Sequence, residues 1–187
     1  MTDSAPDPRR GRRQLLLIAL VFFLPIALAA VLALSGWVPA ARSHGEPIVP
    51  QESFAALPVR LADGKDWPWR AATPQYTLLA LAGPGCGAAC VGKLDLLHRA
   101  QAGLTNNGSD KLRLLYLGVP PTLAHAAPVM RAWAVGTTRA PQLLRFVPTQ
   151  PDSVAAILVA ADGTAIVHYP PTVSAADINK DLRRLFK

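Results

Sequence analysis

The only two cysteines of this 187-residue chain, Cys86 and Cys90, stand four residues apart in the segment G-P-G-C-G-A-A-C, directly after the apolar run from Tyr76 to Ala82. That run, bounded by glycine, predicts a buried strand ending at Gly83. Leu94, Leu97 and Leu104 then recur at helical spacing and predict a helix from about Ala88 to Gly103. Strand, glycine turn and helix together place the thiols at a βα junction, Cys86 at the helix N-terminus and Cys90 one turn further in. Unpaired amides and the positive end of the peptide dipoles favour thiolate over thiol at such a place. Cys86 is therefore the candidate nucleophile, Cys90 its less exposed partner, and both are candidate soft-metal ligands. A structural disulfide or two small core residues are the competing roles, but closing so short a loop contributes little entropic stabilisation, and two cysteines at this spacing with none elsewhere argue against mere core filling.

The first forty residues set the compartment. From Leu15 to Leu34 no charged or strongly polar side chain occurs. At about 1.5 Å rise per residue, that length matches a hydrocarbon layer roughly 30 Å thick. A single transmembrane helix is expected over 15–36, behind a basic cytoplasmic segment, 1–14. Pro25 is tolerated in a bilayer, and Trp37 fits an interfacial anchor. Arg9, Arg10, Arg12 and Arg13 precede the span, so the positive-inside rule keeps the N-terminus in the cytoplasm and turns the rest outward. A cleaved signal peptide is the rival reading, from Val38, Pro39 and Ala40 and the Arg12–Arg13 pair, yet secretory apolar regions usually run only about 7 to 15 residues. Either way the cysteines reach the same compartment, an oxidising one if the membrane is a bacterial inner membrane. Those four arginines make up a large part of the net charge of +7. With no basic stripe interleaved with aromatics, nucleic acid is not an expected partner.

Pro39, Pro47, Pro50 and Pro58 exclude a long helix over 37–58, which is expected to be a tether. The remainder, 59–187, has the size of one domain. Leu57, Val59 and Leu61 alternate before a turn and a second short segment through Trp67 and Trp69, predicting an opening hairpin whose tryptophans pack rather than bind. Leu112 to Leu117 predicts a buried parallel strand, and a helix interrupted by Pro128 is expected over Thr122 to Val135. Val154 to Ala160, the turn at Asp162 and Gly163, and Thr164 to Tyr169 predict an antiparallel hairpin. Ser174 then caps a final helix with Ile178, Leu182 and Leu185 on one side. The resulting fold class is α/β, a thioredoxin-like domain with its dithiol at the strand-to-helix junction.

This pattern resembles the Sco proteins, membrane-anchored thioredoxin-fold assembly factors for the copper centre of cytochrome c oxidase, which carry a C-x-x-x-C pair after a strand and glycine turn. The likeness lies in Gly83, Cys86 and Cys90, in Lys111 to Gly118, and in D-G-T-A-I-V-H-Y followed by S-A-A-D-I-N-K-D-L-R-R-L. It implies an inner-membrane protein with a periplasmic domain that assists oxidase assembly. Its partner would be the oxidase copper subunit or another assembly factor, and copper(I) would be held by Cys86 and Cys90. The chain departs from the family pattern at the residues following the cysteines, where Gly87 and Val91 stand in place of prolines. It departs again at the third-ligand position, about ten residues before Asp162, where Asp152 replaces histidine. A carboxylate is a hard donor and a poor substitute for imidazole beside two thiolates. His44, in the tether, and His98, about two turns past Cys90, are expected to be solvated or at the edge of the core. The same holds for His125, in a proline-rich loop, and for His168, at a strand end. A general thiol-disulfide oxidoreductase and a non-catalytic scaffold are the two rival functions.

Overall fold

The computed structural model describes residues 17, 19–27, 31, 43–104 and 108–187. The chain divides into two compact units, Met1–Arg42 and Ser43–Lys187. Residues 17, 19–27 and 31 are helical. Segment 1–14, Trp37 and much of the expected span lie outside the described residues, among which no helix is long and apolar enough to cross a membrane.

The second unit runs β1 (Glu46–Ser53), β2 (Arg60–Leu61), β3 (Tyr76–Ala82), α1 (Ala88–Ala102), α2 (Gly108–Lys111), β4 (Leu112–Leu117), α3 (Ala126–Met130), β5 (Ala134–Thr137), α4 (Pro141–Leu144), β6 (Val154–Val159), β7 (Thr164–Tyr169) and α5 (Ala175–Leu185). Its strands form one sheet in the order β1-β7-β6-β3-β4-β5-β2. β4 lies parallel to the central β3 and β6 antiparallel to it. This is the thioredoxin-like arrangement anticipated from the order of elements.

β3 is central because both its faces are apolar. Leu78, Ala80 and Ala82 pack toward Leu94 and Leu97 of α1 and Ile178 and Leu182 of α5, while Leu79 and Leu81 pack toward Phe54, Trp67, Trp69 and Leu143. Leu94 and Leu97 are fully buried, each contributing about 1.5–3 kcal/mol through transfer from water. α1 and α5 also pack on one another, which fixes the direction in which α1 presents its N-terminus.

Several expectations are corrected. The segment expected as a tether contains β1, an edge strand antiparallel to β7 whose pairing skips between Pro47 and Glu52. Its prolines are tolerated there because an edge strand leaves one row of amides unpaired. The opening hairpin shrinks to a single bridge between Arg60 and Asp66, and β2 pairs with β5 instead. Trp67 and Trp69 are buried, as the packing role required. The helix expected over 122–135 is one short turn, α3, with Pro128 inside it, followed by β5 alongside β4. Ser174 caps α5 as expected, its Oγ accepting from the Asp177 amide at 3.1 Å. Leu185 does not join the core: it is 41% exposed, and Phe186 is buried in its place.

Candidate thiol–disulfide site

Cys86 and Cys90 form a disulfide, with 5.2 Å between their Cα atoms. Cys86 lies in the loop before α1 and is half-buried, whereas Cys90, in its first turn, is 1% exposed and packs in the core with Leu94. The asymmetry expected from the sequence is present, and it follows from the helix: position 90 turns inward with 94 and 97, while 86 precedes the first turn.

The amides at the helix start behave differently from the expectation. The N-cap residue, Gly87, has no side chain to accept from them. The acceptor comes instead from Asp152, in the loop before β6. Its Oδ1 accepts from the amides of Gly87 at 2.7 Å and Cys90 at 2.9 Å, and its Oδ2 from that of Ala89 at 3.1 Å. These are three of the four donors that a helix N-terminus leaves unpaired. The amides of Cys90 and Ala89 hold the Asp152 carboxyl below the usual carboxylate range against a smaller desolvation effect, and that of Gly87 adds the least. The amides expected to face sulfur are thus held by a carboxylate.

The loop carrying Asp152 is stitched to the cysteine loop at the backbone. The Asp152 amide donates to the Pro84 carbonyl at 3.0 Å, and the Gly83 amide to the Ser153 carbonyl at 2.9 Å. A Cβ on Gly83 would run into the Gln150 carbonyl, which accounts for glycine at the end of β3. Sequence counting reached Asp152 as a ligand position and missed this role. The signal for it was an uncapped helix start, which requires an acceptor from elsewhere in the chain.

Beside the disulfide lies an open groove of about 860 Å³ whose lining includes Cys86, Pro84, Val119, Pro120, Leu144 and Val147 and, among the described residues, no charged side chain. Val119 and Leu144 are exposed apolar residues on it. Tyr116 anchors one wall by donating to the Val119 carbonyl at 2.8 Å, and burial raises its phenol to about 12.

The histidines do not join the sulfurs in any hydrogen bond or ion pair. His98 and His125 line a separate cavity of about 450 Å³ between α1 and α3. His168 stands 3.6 Å from Glu46 and against the Phe146 ring. His44 is bound to Asp181. Among the described residues, no cluster of three His, Cys, Asp or Glu side chains could hold a metal ion. The donor set around the disulfide does not fit the copper site implied by the resemblance, because the third position offers a hard oxygen donor whose two oxygens are already engaged by amides.

A family model described as "Transmembrane-like, thioredoxin-like, C-terminal domain" matches residues 76–187, and one described as "Transmembrane-like, N-terminal domain" matches 6–35. No curated protein matches the chain. The apo Sco1 protein of Thermus thermophilus is similar in structure at a TM-score of 0.50 and 15% identity, over 79% of this chain and 99% of that one. The bacterioferritin comigratory protein of Xanthomonas campestris, which has alkyl peroxide reduction activity, is similar at 0.50 and 12% identity, over 76% and 97% of the two chains. At these identities the likeness establishes a shared thioredoxin-like fold.

Proposed function

Since this chain belongs to the family of transmembrane-like proteins with a thioredoxin-like C-terminal domain, we propose that it is a membrane-anchored thiol–disulfide exchange protein of the outer face of the inner membrane. Its client, on the Sco resemblance, is a cysteine pair of the copper subunit of cytochrome c oxidase. One observation carries the reading: a half-buried Cys86, bonded to a buried Cys90, opens onto an uncharged apolar groove. An extended, apolar client segment fits such a groove, and among the described residues the only sulfur lining it is that of Cys86.

The chemistry is two successive exchanges. A dithiol reductant first reduces the Cys86–Cys90 bond, taking up the disulfide in its own sulfurs. The Cys86 thiolate then attacks one sulfur of the client disulfide, forming a mixed disulfide and expelling the other client sulfur as thiolate. The Cys90 thiolate attacks Cys86 sulfur, restoring the intramolecular disulfide and releasing the second client thiolate, so two electrons pass to the client. Copper(I) handling by the same sulfurs would require a third donor from the client, since Asp152 is engaged.

The test is a trap. In the full-length chain, Cys90→Ser should accumulate a mixed disulfide between Cys86 and the oxidase copper subunit, cleaved by dithiothreitol and absent from Cys86→Ser. Normal oxidase maturation in a strain whose chain carries serine at both positions would leave only the scaffold role. Adducts to many unrelated proteins would favour the general oxidoreductase.

A further inference from the structure

Two of the positions at which the chain departs from the Sco pattern turn out to be one contact. Proline at 87 has no N–H, but Gly87 donates to Asp152 at 2.7 Å. A Cβ on residue 87 would also lie 3.0 Å from Asp152 Cγ and Oδ2, so only glycine lets the carboxylate settle over the helix end without a push. Asp152 holds its own backbone at a φ of 50°, in the left-handed region that Asp and Asn tolerate better than most residues. Side chain and backbone of one residue thus clamp both ends of the C-x-x-x-C loop, through Pro84 on one side and through Gly87, Ala89 and Cys90 on the other.

We propose that Asp152 is a positioning residue that sets the redox equilibrium of the Cys86–Cys90 bond, favouring the disulfide and making the dithiol a stronger reductant. When the bond is intact, its sulfurs carry no charge, and a carboxylate at the start of a 15-residue helix is favourable. Reduction breaks the S–S bond with two electrons, and where one sulfur takes up a proton and the other stays ionised, the negative charge left at the helix start meets two obstacles. The amides that would stabilise it are already donating to Asp152, and Asp152 itself repels it. In redox proteins whose helix N-terminus is left free for sulfur, the thiolate is stabilised and the disulfide is oxidising. Here the sign is reversed.

This assignment rests on the thiol–disulfide reading, but its readout is the equilibrium of the chain's own two sulfurs and needs no client. The full-length protein in detergent is equilibrated at pH 8.5 with mixtures of glutathione and glutathione disulfide, in which one Cys86–Cys90 disulfide and two glutathiones exchange for one dithiol and one glutathione disulfide. Asp152→Asn keeps an oxygen acceptor and tolerance of the left-handed backbone while removing the charge. It should move the equilibrium toward the dithiol by about tenfold, which is about 30 mV for a two-electron couple. Gly87→Ala, which keeps the charge but displaces it, should move the equilibrium the same way by a smaller factor. An unchanged equilibrium in both variants, or a shift toward the disulfide, overturns the assignment and leaves Asp152 a structural cap only. Variants that shift as stated, in a protein that traps no client, would count against the proposed function and not against this role.

Discussion

The two sulfurs of the candidate site share one bond but not one environment. Cys90 is 1% exposed and packs among the residues that join α1 to the sheet, so any attack from solvent or from a protein must fall on Cys86. After reduction, limiting iodoacetamide should therefore alkylate Cys86 about ten times faster than Cys90, since nucleophilic reactivity requires access as well as ionisation. Peptide mass spectrometry of the singly modified chain checks this, and equal labelling would remove the division of labour between attacking and resolving thiol. This inequality was legible in the sequence, because helical spacing from Leu94 and Leu97 places residue 90 on the buried face. The state of the amides was not legible. The acceptor stands sixty-two residues from Cys90, and no local pattern connects a helix start to one aspartate in a distant loop.

Elements made by strong periodicity were legible, and those decided by tertiary pairing were not. β3, α1, β4, β6, β7 and α5 each carry their own apolar pattern, and all occur where expected within a few residues. β1 was obscured by its prolines, and β5, only four residues long, exists because β4 offers it an edge. α5 shows where periodicity alone overreaches: Ile178, Leu182 and Leu185 fit one face, yet the helix ends at Leu185 and the chain turns Phe186 into the core instead. The contrast is measurable. Leu182→Ala should destabilise the domain by about 2–5 kcal/mol, as deletion of fully buried leucine atoms does. Leu185→Ala should stay within about 1 kcal/mol, as partly exposed substitutions usually do. Urea unfolding followed by tryptophan fluorescence separates them, because Trp67, Trp69 and Trp133 are all buried.

At the scale of the whole chain, the folded domain begins on a buried carboxylate rather than where the prolines end. The domain starts at Ser43, where Ser43 Oγ and the His44 amide donate to Asp181 Oδ2 at 2.9 and 2.7 Å and the His44 ring lies 2.9 Å from Oδ1. The Asp181 side chain is only 8% exposed, so the last helix holds the entering chain through one buried carboxylate. Nothing in the local sequence around His44 marks this contact, since its partner lies 137 residues away. Burial pushes the Asp181 carboxyl up, but the hydrogen bonds from the His44 ring and amide and from Ser43, with the attraction of His44, outweigh it and leave the group below its ordinary value. A carboxyl lowered on folding stabilises the native state above its unfolded pKa of about 3.9, and that contribution disappears as pH falls through the folded value. Asp181→Asn should therefore be less stable than the native chain at pH 7 by about 1–3 kcal/mol, the range for leaving buried donors poorly paired. The two proteins should converge as the pH is lowered from about 4 toward 2. Thermal unfolding of both across that range tests the contact: a gap that persists unchanged into acid would mean that Asp181 acts through packing and not through its charge.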